Sequence, residues 1–237
     1  MQVTRSRNIM SALKSSDTAL GIGAGLAVAV IAAIWSVATR AAVTSTLLPH
    51  DVTLIRFSVA ALFLWPIFLV SMPRYRAAGG RALILMLAGA GIPFMWLAST
   101  GLTYAPVAHI STLMIVMMPV FVALLSWLIF REGLAHSQIG GIVTVVLGVL
   151  LIAGSALLHD RQAGAWIGDL MFLGAGLLFA TFTVTQRRSG LTPWQATALV
   201  NVGSTILFVP IHLALPATGI PNASLQELAL QALAQGV

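Results

Sequence analysis

Several polar side chains stand inside long apolar stretches of this sequence, where charged and hydrogen-bonding groups are costly in hydrocarbon. Arg56 is the only basic residue within such a stretch. Its guanidinium could bind an anionic group, or it could reach water or Asp51 from near the end of a helix. Asn201 lies well inside another stretch and needs a polar partner or cavity water. Both residues are therefore candidates for lining a polar pathway.

His109 and Thr112 are three residues apart, so on a helix they share one face. A histidine facing a water-filled cavity could bind a solute or relay protons near neutral pH. A histidine at the level of the lipid headgroups would only anchor its helix. The sequence leaves both alternatives open. For His212 the sequence shows no acidic residue nearby, which favours a purely structural role.

Three further residues are candidates for the same pathway: Trp35, Trp96 and Thr100. A tryptophan could line a cavity or belong to the aromatic belt at the membrane surface. Prolines within the apolar stretches are predicted to kink their helices, because proline lacks an N–H and its ring displaces the preceding turn. These prolines are Pro66, Pro119 and Pro210.

Patterns typical of enzyme sites are missing. The sequence contains no HExxH, no Walker A pattern and no GxSxG. The absence of cysteine excludes disulfides, thiolate zinc sites and iron–sulfur clusters. We therefore expect no cofactor and no metal site. An enzyme site at the membrane surface, built from Asp51, Arg56 and His109, is a minor alternative for which the residues suggest no mechanism.

The composition excludes a soluble globular protein. Apolar residues make up 59% of the chain and charged residues 8%, with a mean hydropathy of +0.99, whereas soluble domains are about 25% charged. The net charge of +6 does not indicate nucleic acid, because the basic residues lie in short connections and form no patch interleaved with aromatics. The apolar runs are long enough to cross a bilayer as helices. The sequence predicts an all-α, polytopic membrane protein with the lipid bilayer as a partner.

We predict seven membrane crossings: Ala19–Thr39, Val52–Met72, Ala82–Gly101, Val107–Phe130, Gln138–Leu158, Ala165–Gln186 and Pro193–Leu215. An eighth could begin at Leu225. Nine of the 12 lysine and arginine residues lie in the N-terminal segment, residues 1–18, and in alternate connections. By the positive-inside rule, this distribution predicts a cytoplasmic N-terminus.

Small residues spaced four apart indicate the helix faces that we expect to pack closely, since lipid gives helices no hydrophobic drive to associate. Such stripes occur on three of the predicted helices. They are formed by Gly21 and Gly25, by Gly140, Thr144 and Gly148, and by Gly176 and Ala180.

The chain repeats itself weakly. Leu48–Pro49 and Pro66–Ile67 recur 144 residues later as Thr192–Pro193 and Pro210–Ile211. Five predicted crossings separate the copies, and an odd number inverts the second copy relative to the first. Inverted repeats are a hallmark of secondary transporters, with the solute site near the midplane between the repeats. The second copy stops at Val237, far short of its expected end, so we expect either a fragment or a protein lacking most of its second half.

Specific residues also carry a resemblance. The segment GLTYAPVAHISTL from Gly101 to Leu113, followed by MPVFVALL from Met118 to Leu125, resembles the EamA-like family of the drug/metabolite transporter superfamily. Two shorter motifs, Ile34–Trp35–Ser36 and Leu54–Ile55–Arg56–Phe57, are similar to others of that family. The helix end Phe130–Arg131–Glu132 matches a further motif with the order of its charges reversed.

The resemblance implies ten helices in two inverted repeats of five, with both termini cytoplasmic. It implies export or exchange of small metabolites, amino acids or drugs across the bacterial inner membrane, and a structural or gating role for Arg56. On this basis residues 19–158 form the first repeat and residues 165–237 begin a truncated second one. We expect a secondary transporter working by alternating access between the repeats. The alternative is a non-transporting remnant or a helical assembly partner, and a homodimer could replace the missing helices.

Overall fold

The computed structural model describes residues 2–131, 133, 135–159 and 164–236, with side chains over residues 20–131, 133, 135–151 and 164–236. Glu132 of the family-like motif lies outside the described part. So do the side chains of Arg5, Arg7 and Lys14, which contribute to the predicted orientation. The statements below concern the described residues.

The chain is helical throughout its described part. The α-helices are α1 (Gln2–Val43), α2 (Pro49–Val70), α3 (Met72–Ala78), α4 (Gly80–Ala90), α5 (Ile92–Tyr104), α6 (Val107–His109), α7 (Met118–Phe130), α8 (His136–His159), α9 (Ala165–Ser189), α10 (Pro193–Leu213) and α11 (Leu225–Gly236). A π-helical stretch, Ile110–Val116, joins α6 to α7, and a 3-10 turn, Ile220–Asn222, precedes α11. No strand occurs among these residues.

Six segments of the described chain are long and apolar enough to cross a membrane, judged by length and composition. They are Leu20–Val43, Pro49–Val70, Gly80–Tyr104, Val107–Phe130, Ala165–Ser189 and Pro193–Leu213. Each coincides with a predicted crossing. The remaining prediction, Gln138–Leu158, falls within α8, whose apolar character is described over His136–Leu151. The predicted all-α, polytopic architecture is confirmed.

The third predicted crossing is not one continuous helix, because it breaks at Gly91. This residue has a ψ of −139°, and Pro93, which follows at the second position of α5, has no N–H for the preceding turn. A Cβ at position 91 would lie 2.2 Å from the Leu87 carbonyl oxygen and 2.5 Å from Ser204 Oγ. Only glycine fits, and discontinuous helices of this kind are typical of transporter sites.

The fourth predicted crossing also changes character along its length. Its first half widens into the π-helical stretch, which ends at Val116, three residues before Pro119, the second residue of α7. A proline near the start of a helix needs no N–H, and the wider turn before it removes the clash that its ring would otherwise cause. The other two prolines, Pro66 and Pro210, lie inside α2 and α10, which continue to Val70 and Leu213.

Helix packing follows a paired pattern. Helix α2 packs chiefly against α10, α9 packs against α4 and α5, and α1 packs against α11. The largest fully buried side chains include Phe57 on α2, Phe172 on α9 and Phe208 on α10. The core therefore lies between helices that precede α8 in the sequence and helices that follow it, while α8 itself makes few of these contacts.

Two of the three predicted small-residue contacts are wrong within the described part of the chain. A Cβ added at any of the glycines concerned would meet nothing within 4 Å; these are Gly21, Gly25, Gly140 and Gly148. The third prediction is confirmed, since a Cβ at Gly176 would lie 3.2 Å from the Met114 carbonyl oxygen and from Phe121. Spacing alone finds candidate faces, but a partner helix must be present to use them.

A close approach between helices joins α5 to α9 at glycines outside the predicted stripes. A Cβ at Gly168 would lie 2.7 Å from both the Gly101 carbonyl oxygen and Ala105 Cβ. A Cβ at Gly101 would lie 2.6 Å from the Phe172 ring. The absence of side chains at these two positions lets the backbones of α5 and α9 touch.

Helices α2 and α10 run antiparallel and begin in the same way, as the repeat predicts. The Leu48 N–H donates to Asp51 Oδ2 at 2.9 Å, and 144 residues later the Thr192 N–H donates to Gln195 Oε1 at 3.0 Å. In each case a side chain at the third helical position satisfies a backbone donor that the helix itself leaves unpaired.

The segment that follows each of these helices contacts the start of the other. After α2, the Tyr75 hydroxyl donates to the Gln195 carbonyl oxygen at 2.9 Å. After α10, the Gly219 N–H donates to Asp51 Oδ2 at 2.8 Å, and the Thr218 hydroxyl donates to Asp51 Oδ1 at 2.7 Å. We call the contact of Tyr75 with Gln195 the Gln195 clasp, and the contacts of Thr218 and Gly219 with Asp51 the Asp51 clasp.

Candidate functional site

A cavity of about 710 Å³ opens between α1, α2 and α10, with α5, α7, α9, α11 and the π-helical stretch completing its walls. Most of its lining is apolar, including the rings of Phe63, Phe94 and Phe179. The side chains with polar groups are Trp35, Arg56, Trp194, Thr197, Asn201 and Gln235. A largely apolar cleft of this size with a few polar groups is the usual form of a small-molecule site.

Arg56 and Trp35 face each other across one wall of the cavity. The guanidinium carbon of Arg56 lies 5.7 Å from the ring centroid of Trp35, which is within cation–π range. Arg56 Nε and Trp35 Nε1 are buried without a hydrogen-bond acceptor, and no carboxylate of the described chain pairs with Arg56. Two buried donors thus point to an acceptor that the described protein does not supply.

Asp51, which sequence analysis offered as a partner for Arg56, is occupied elsewhere. Its carboxylate is fully buried and accepts hydrogen bonds from Leu48, Thr218 and Gly219. These bonds turn it toward the loop after α10, away from the cavity. Reach toward Asp51 therefore does not explain Arg56.

Asn201 lies on α10 one turn after Thr197, and both side chains line the cavity. The Asn201 Nδ2 donates to the Thr197 carbonyl oxygen at 2.9 Å. The predicted need of Asn201 for a polar partner is thereby met in part within its own helix, and the residue lies in the predicted place.

The model of the EamA-like transporter family matches residues 19–154, which is more than half of the chain. The chain belongs to the EamA-like transporter family. It is accordingly a multi-pass membrane transporter of the drug/metabolite type. Among curated proteins, none matches the chain.

The EamA match contains two of the cavity residues predicted from sequence, Trp35 and Arg56. It also contains four predicted residues that do not line the cavity. Of these, Trp96 packs edge-on against Phe208 with ring centroids 6.1 Å apart, and Thr112 Oγ1 donates to the Ala108 carbonyl oxygen at 2.9 Å. The hydroxyl of Thr100 is buried with no hydrogen-bond partner among the described residues.

His109, the fourth, is hydrogen-bonded to a carboxylate of another helix. Its Nδ1 lies 2.7 Å from Asp169 Oδ1, which joins α6 to α9. The two side chains are 12% and 25% exposed, so this pair lies beside the bundle interior and outside the cavity. Asp169, near the start of α9, therefore has a direct partner on α6.

Gln235 is one of the polar cavity residues of this EamA-like chain that were not predicted from the sequence, and Thr197 is another. Its Nε2 donates to Thr39 Oγ1 on α1 at 2.7 Å, while its Oε1 is buried without a partner. One turn earlier, Gln231 Nε2 donates to the Ala38 carbonyl oxygen at 3.0 Å. Two glutamines spaced four apart in a mostly apolar helix were the available signal, since such side chains require partners inside a bilayer.

Proposed function

We propose that this chain is a secondary transporter that moves small solutes across the bacterial inner membrane by alternating access through the cavity. The observation that carries this proposal is the wall formed by Arg56 and Trp35, whose buried donors lack protein acceptors. An unpaired guanidinium inside a membrane protein marks a functional site by default, because burying it without a purpose is costly. A solute can supply what the protein leaves open.

The lining favours a solute with a carboxylate and an apolar body. A guanidinium binds a carboxylate through two parallel hydrogen bonds, and the indole N–H of Trp35 offers a third donor nearby. Phe63, Phe94 and Phe179 supply apolar contact for the rest of the molecule. Asn201 and Gln235 add uncharged polar groups to the lining. Amino acids, small organic acids and acidic drugs fit this description.

The helix pairing supports two inverted repeats over residues 19–158 and 165–237. In the two repeats α1 corresponds to α9, and α4 with α5 corresponds to α11. The contact of α9 with α4 and α5 is then equivalent to the contact of α1 with α11, and both contacts occur. The same correspondence maps α2 onto α10 and α10 onto α2, and it maps each clasp onto the other. Opening one clasp while the other holds gives the two access states that an alternating mechanism requires.

Counterflow in proteoliposomes tests this function. Purified protein preloaded with unlabelled solute takes up labelled solute from a panel of small carboxylates, matched with their amide or decarboxylated analogues. We expect uptake of at least one carboxylate and at least tenfold less uptake of its uncharged analogue. Arg56→Gln should abolish the difference, because it removes the anion-binding group. Asn201→Leu should lower uptake by narrowing and depolarising the cavity.

Thr112→Leu is the matched control, since Thr112 lies off the cavity and should leave uptake within twofold of wild type. If both the Arg56→Gln and the Asn201→Leu variants took up solute as wild type does, the solute would bind outside the cavity. No counterflow of any solute by well-folded protein would favour the non-transporting alternative.

A further inference from the structure

The Asp51 clasp brings His212 next to His50 and Asp51, which are neighbours in the sequence and far from residue 212. His50 Nε2 lies 3.7 Å and His212 Nε2 lies 3.6 Å from the same oxygen, Asp51 Oδ1. All three candidate ligand atoms fall within 4.8 Å of one another. We propose that His50, Asp51 and His212 form a site for a divalent transition-metal ion such as Zn²⁺.

The carboxylate is already oriented for this role. Asp51 Oδ2 accepts the N–H groups of Leu48 and Gly219, and Oδ1 accepts the Thr218 hydroxyl. Oδ1 therefore keeps one lone pair, on the side that faces both imidazoles. Outer hydrogen bonds that fix a ligating carboxylate are a regular feature of metal sites.

His212 supplies the second, independent observation. Its side chain is 8% exposed, and its Nδ1 is buried without a hydrogen-bond partner. Its Nε2, at 3.6 Å from Asp51 Oδ1, is too far for a normal hydrogen bond. A buried imidazole whose Nδ1 lacks a partner and whose Nε2 only approaches a carboxylate is costly, and a metal ion at Nε2 would offset part of that cost.

The other end of the α2–α10 pair shows that packing does not require these residues. The repeat relates His50 to Trp194, Asp51 to Gln195 and His212 to Phe68, each 144 residues away. Phe68 and His212 are equally buried, at 8% exposure, against the same pair of helices. The Gln195 clasp therefore has tryptophan, glutamine and phenylalanine where the Asp51 clasp has its three candidate ligands. Packing at such a helix end does not by itself require histidine.

The chemistry of the donors selects the ion. Two imidazoles and one carboxylate suit Zn²⁺, and also Co²⁺, Ni²⁺ and Cu²⁺, better than Mg²⁺ or Ca²⁺. Around a tetrahedral Zn²⁺ with ligand distances of about 2.0–2.2 Å, ligand atoms are about 3.4 Å apart. The two distances to Asp51 Oδ1 need to shorten by a few tenths of an ångström. His50, the more exposed histidine, must exchange its contact with the Ala217 carbonyl oxygen for the ion.

The bound ion joins the start of α2 to the end of α10 and to the loop that follows. It thereby adds a cross-link at one end of the central helix pair and none at the other. Water completes the coordination. This site lies at the clasp and not in the cavity, so its existence does not depend on which solute the protein moves.

Metal binding to the purified chain tests the proposal directly. The protein carries a tag without histidine, is stripped with a chelator, and is titrated with Zn²⁺ by calorimetry. We expect one ion per chain, with affinity at least tenfold weaker in His212→Phe and in His50→Gln. His212→Phe inserts the residue found at the equivalent position of the other clasp, so packing is retained. His136→Gln, which changes an exposed histidine at the start of α8, is the control and should bind like wild type.

Co²⁺ gives a second readout that needs no variant. Bound in the stripped wild-type protein, it should show the visible absorption of four-coordinate cobalt, which excess Zn²⁺ removes. The proposal is overturned if wild type binds no Zn²⁺, if both histidine variants bind it as wild type does, or if cobalt shows only its six-coordinate spectrum.

Discussion

At the scale of single residues, the informative side chains are polar groups whose partners are incomplete. Arg56 and Trp35 hold donors toward the cavity without acceptors, and Gln235 holds an unpaired acceptor at its edge. By contrast, His109 is matched with Asp169 at 2.7 Å. Unsatisfied groups that share one cavity are a stronger guide to solute binding than residue type alone.

Tyr75 gives a residue-scale prediction with a defined pH dependence. Burial raises the pKa of its hydroxyl, because the phenolate loses hydration in the Gln195 clasp, where the side chain is 3% exposed. The folded state therefore holds this proton more tightly than the unfolded chain. The stability from Tyr75 is complete below the ordinary tyrosine pKa of about 10 and is lost as pH rises through the higher folded value.

We expect Tyr75→Phe to lower the free energy of unfolding by about 1 kcal/mol at neutral pH through the lost hydrogen bond to Gln195. Above about pH 10, wild type should lose stability more steeply than the variant. Thermal unfolding in detergent across pH measures both effects. Tyr104→Phe, at the other tyrosine of the chain and 43% exposed, is the control. Parallel pH profiles for wild type and Tyr75→Phe would contradict the assignment.

At the scale of elements, close approach and interruption matter more than helix length. Gly91 divides one crossing into α4 and α5, and the π-helical stretch interrupts the regular α-helix of another. Helix propensity did not predict either change. Each interruption has a neighbouring helix packed against it, since Ser204 lies close to Gly91 and Gly176 lies close to the Met114 carbonyl oxygen.

Gly168 provides a test of the contact between α5 and α9. Gly168→Ala places a methyl 2.7 Å from the Gly101 carbonyl oxygen, a backbone atom that cannot yield without moving the helix. We expect a loss of about 1–3 kcal/mol in unfolding free energy, as for other overpacked cores. Gly25→Ala, on the exposed face of α1, should cost nothing or stabilise slightly. Equal effects of the two changes in a detergent unfolding assay would refute the close contact.

At the scale of the whole molecule, the distribution of positive charge predicts the orientation. The connection between α7 and α8, which carries Arg131, should be cytoplasmic, and the turn between α5 and α6 should face the other side. The chain contains no cysteine, so single introduced cysteines report accessibility without background.

We expect Ala135→Cys to react with a membrane-impermeant maleimide only after cells are permeabilised. Thr103→Cys, exposed in the opposite turn, should react in intact cells. The reverse pattern would invert the proposed orientation, and with it the side on which the Asp51 clasp meets its metal ion. Both positions lie outside the cavity, so neither substitution alters the proposed solute site.

Two of the site residues predicted from sequence, Arg56 and Asn201, line the cavity. Arg56 and Asn201 were found because a polar group within an apolar run is conspicuous without any knowledge of neighbours. The cavity also contains Gln235, whose partner Thr39 lies 196 residues away in the sequence, so the local pair Gln231 and Gln235 did not reveal what it contacts. His212 was judged to have no acidic partner because Asp51 is 161 residues away, yet the fold places it at 3.6 Å.

By itself, the sequence determined that this chain is helical, lies in a membrane and belongs to a transporter family, because hydropathy and family motifs are properties of continuous segments. Only the tertiary structure decided which polar residues share the cavity, which glycines are tight contacts and which histidines meet Asp51. The physical reason is that these helices are apolar on nearly every side, since lipid and protein neighbours demand similar surfaces. With no polar face to set its rotation, a helix turns toward its partners according to shape, and shape is decided by packing.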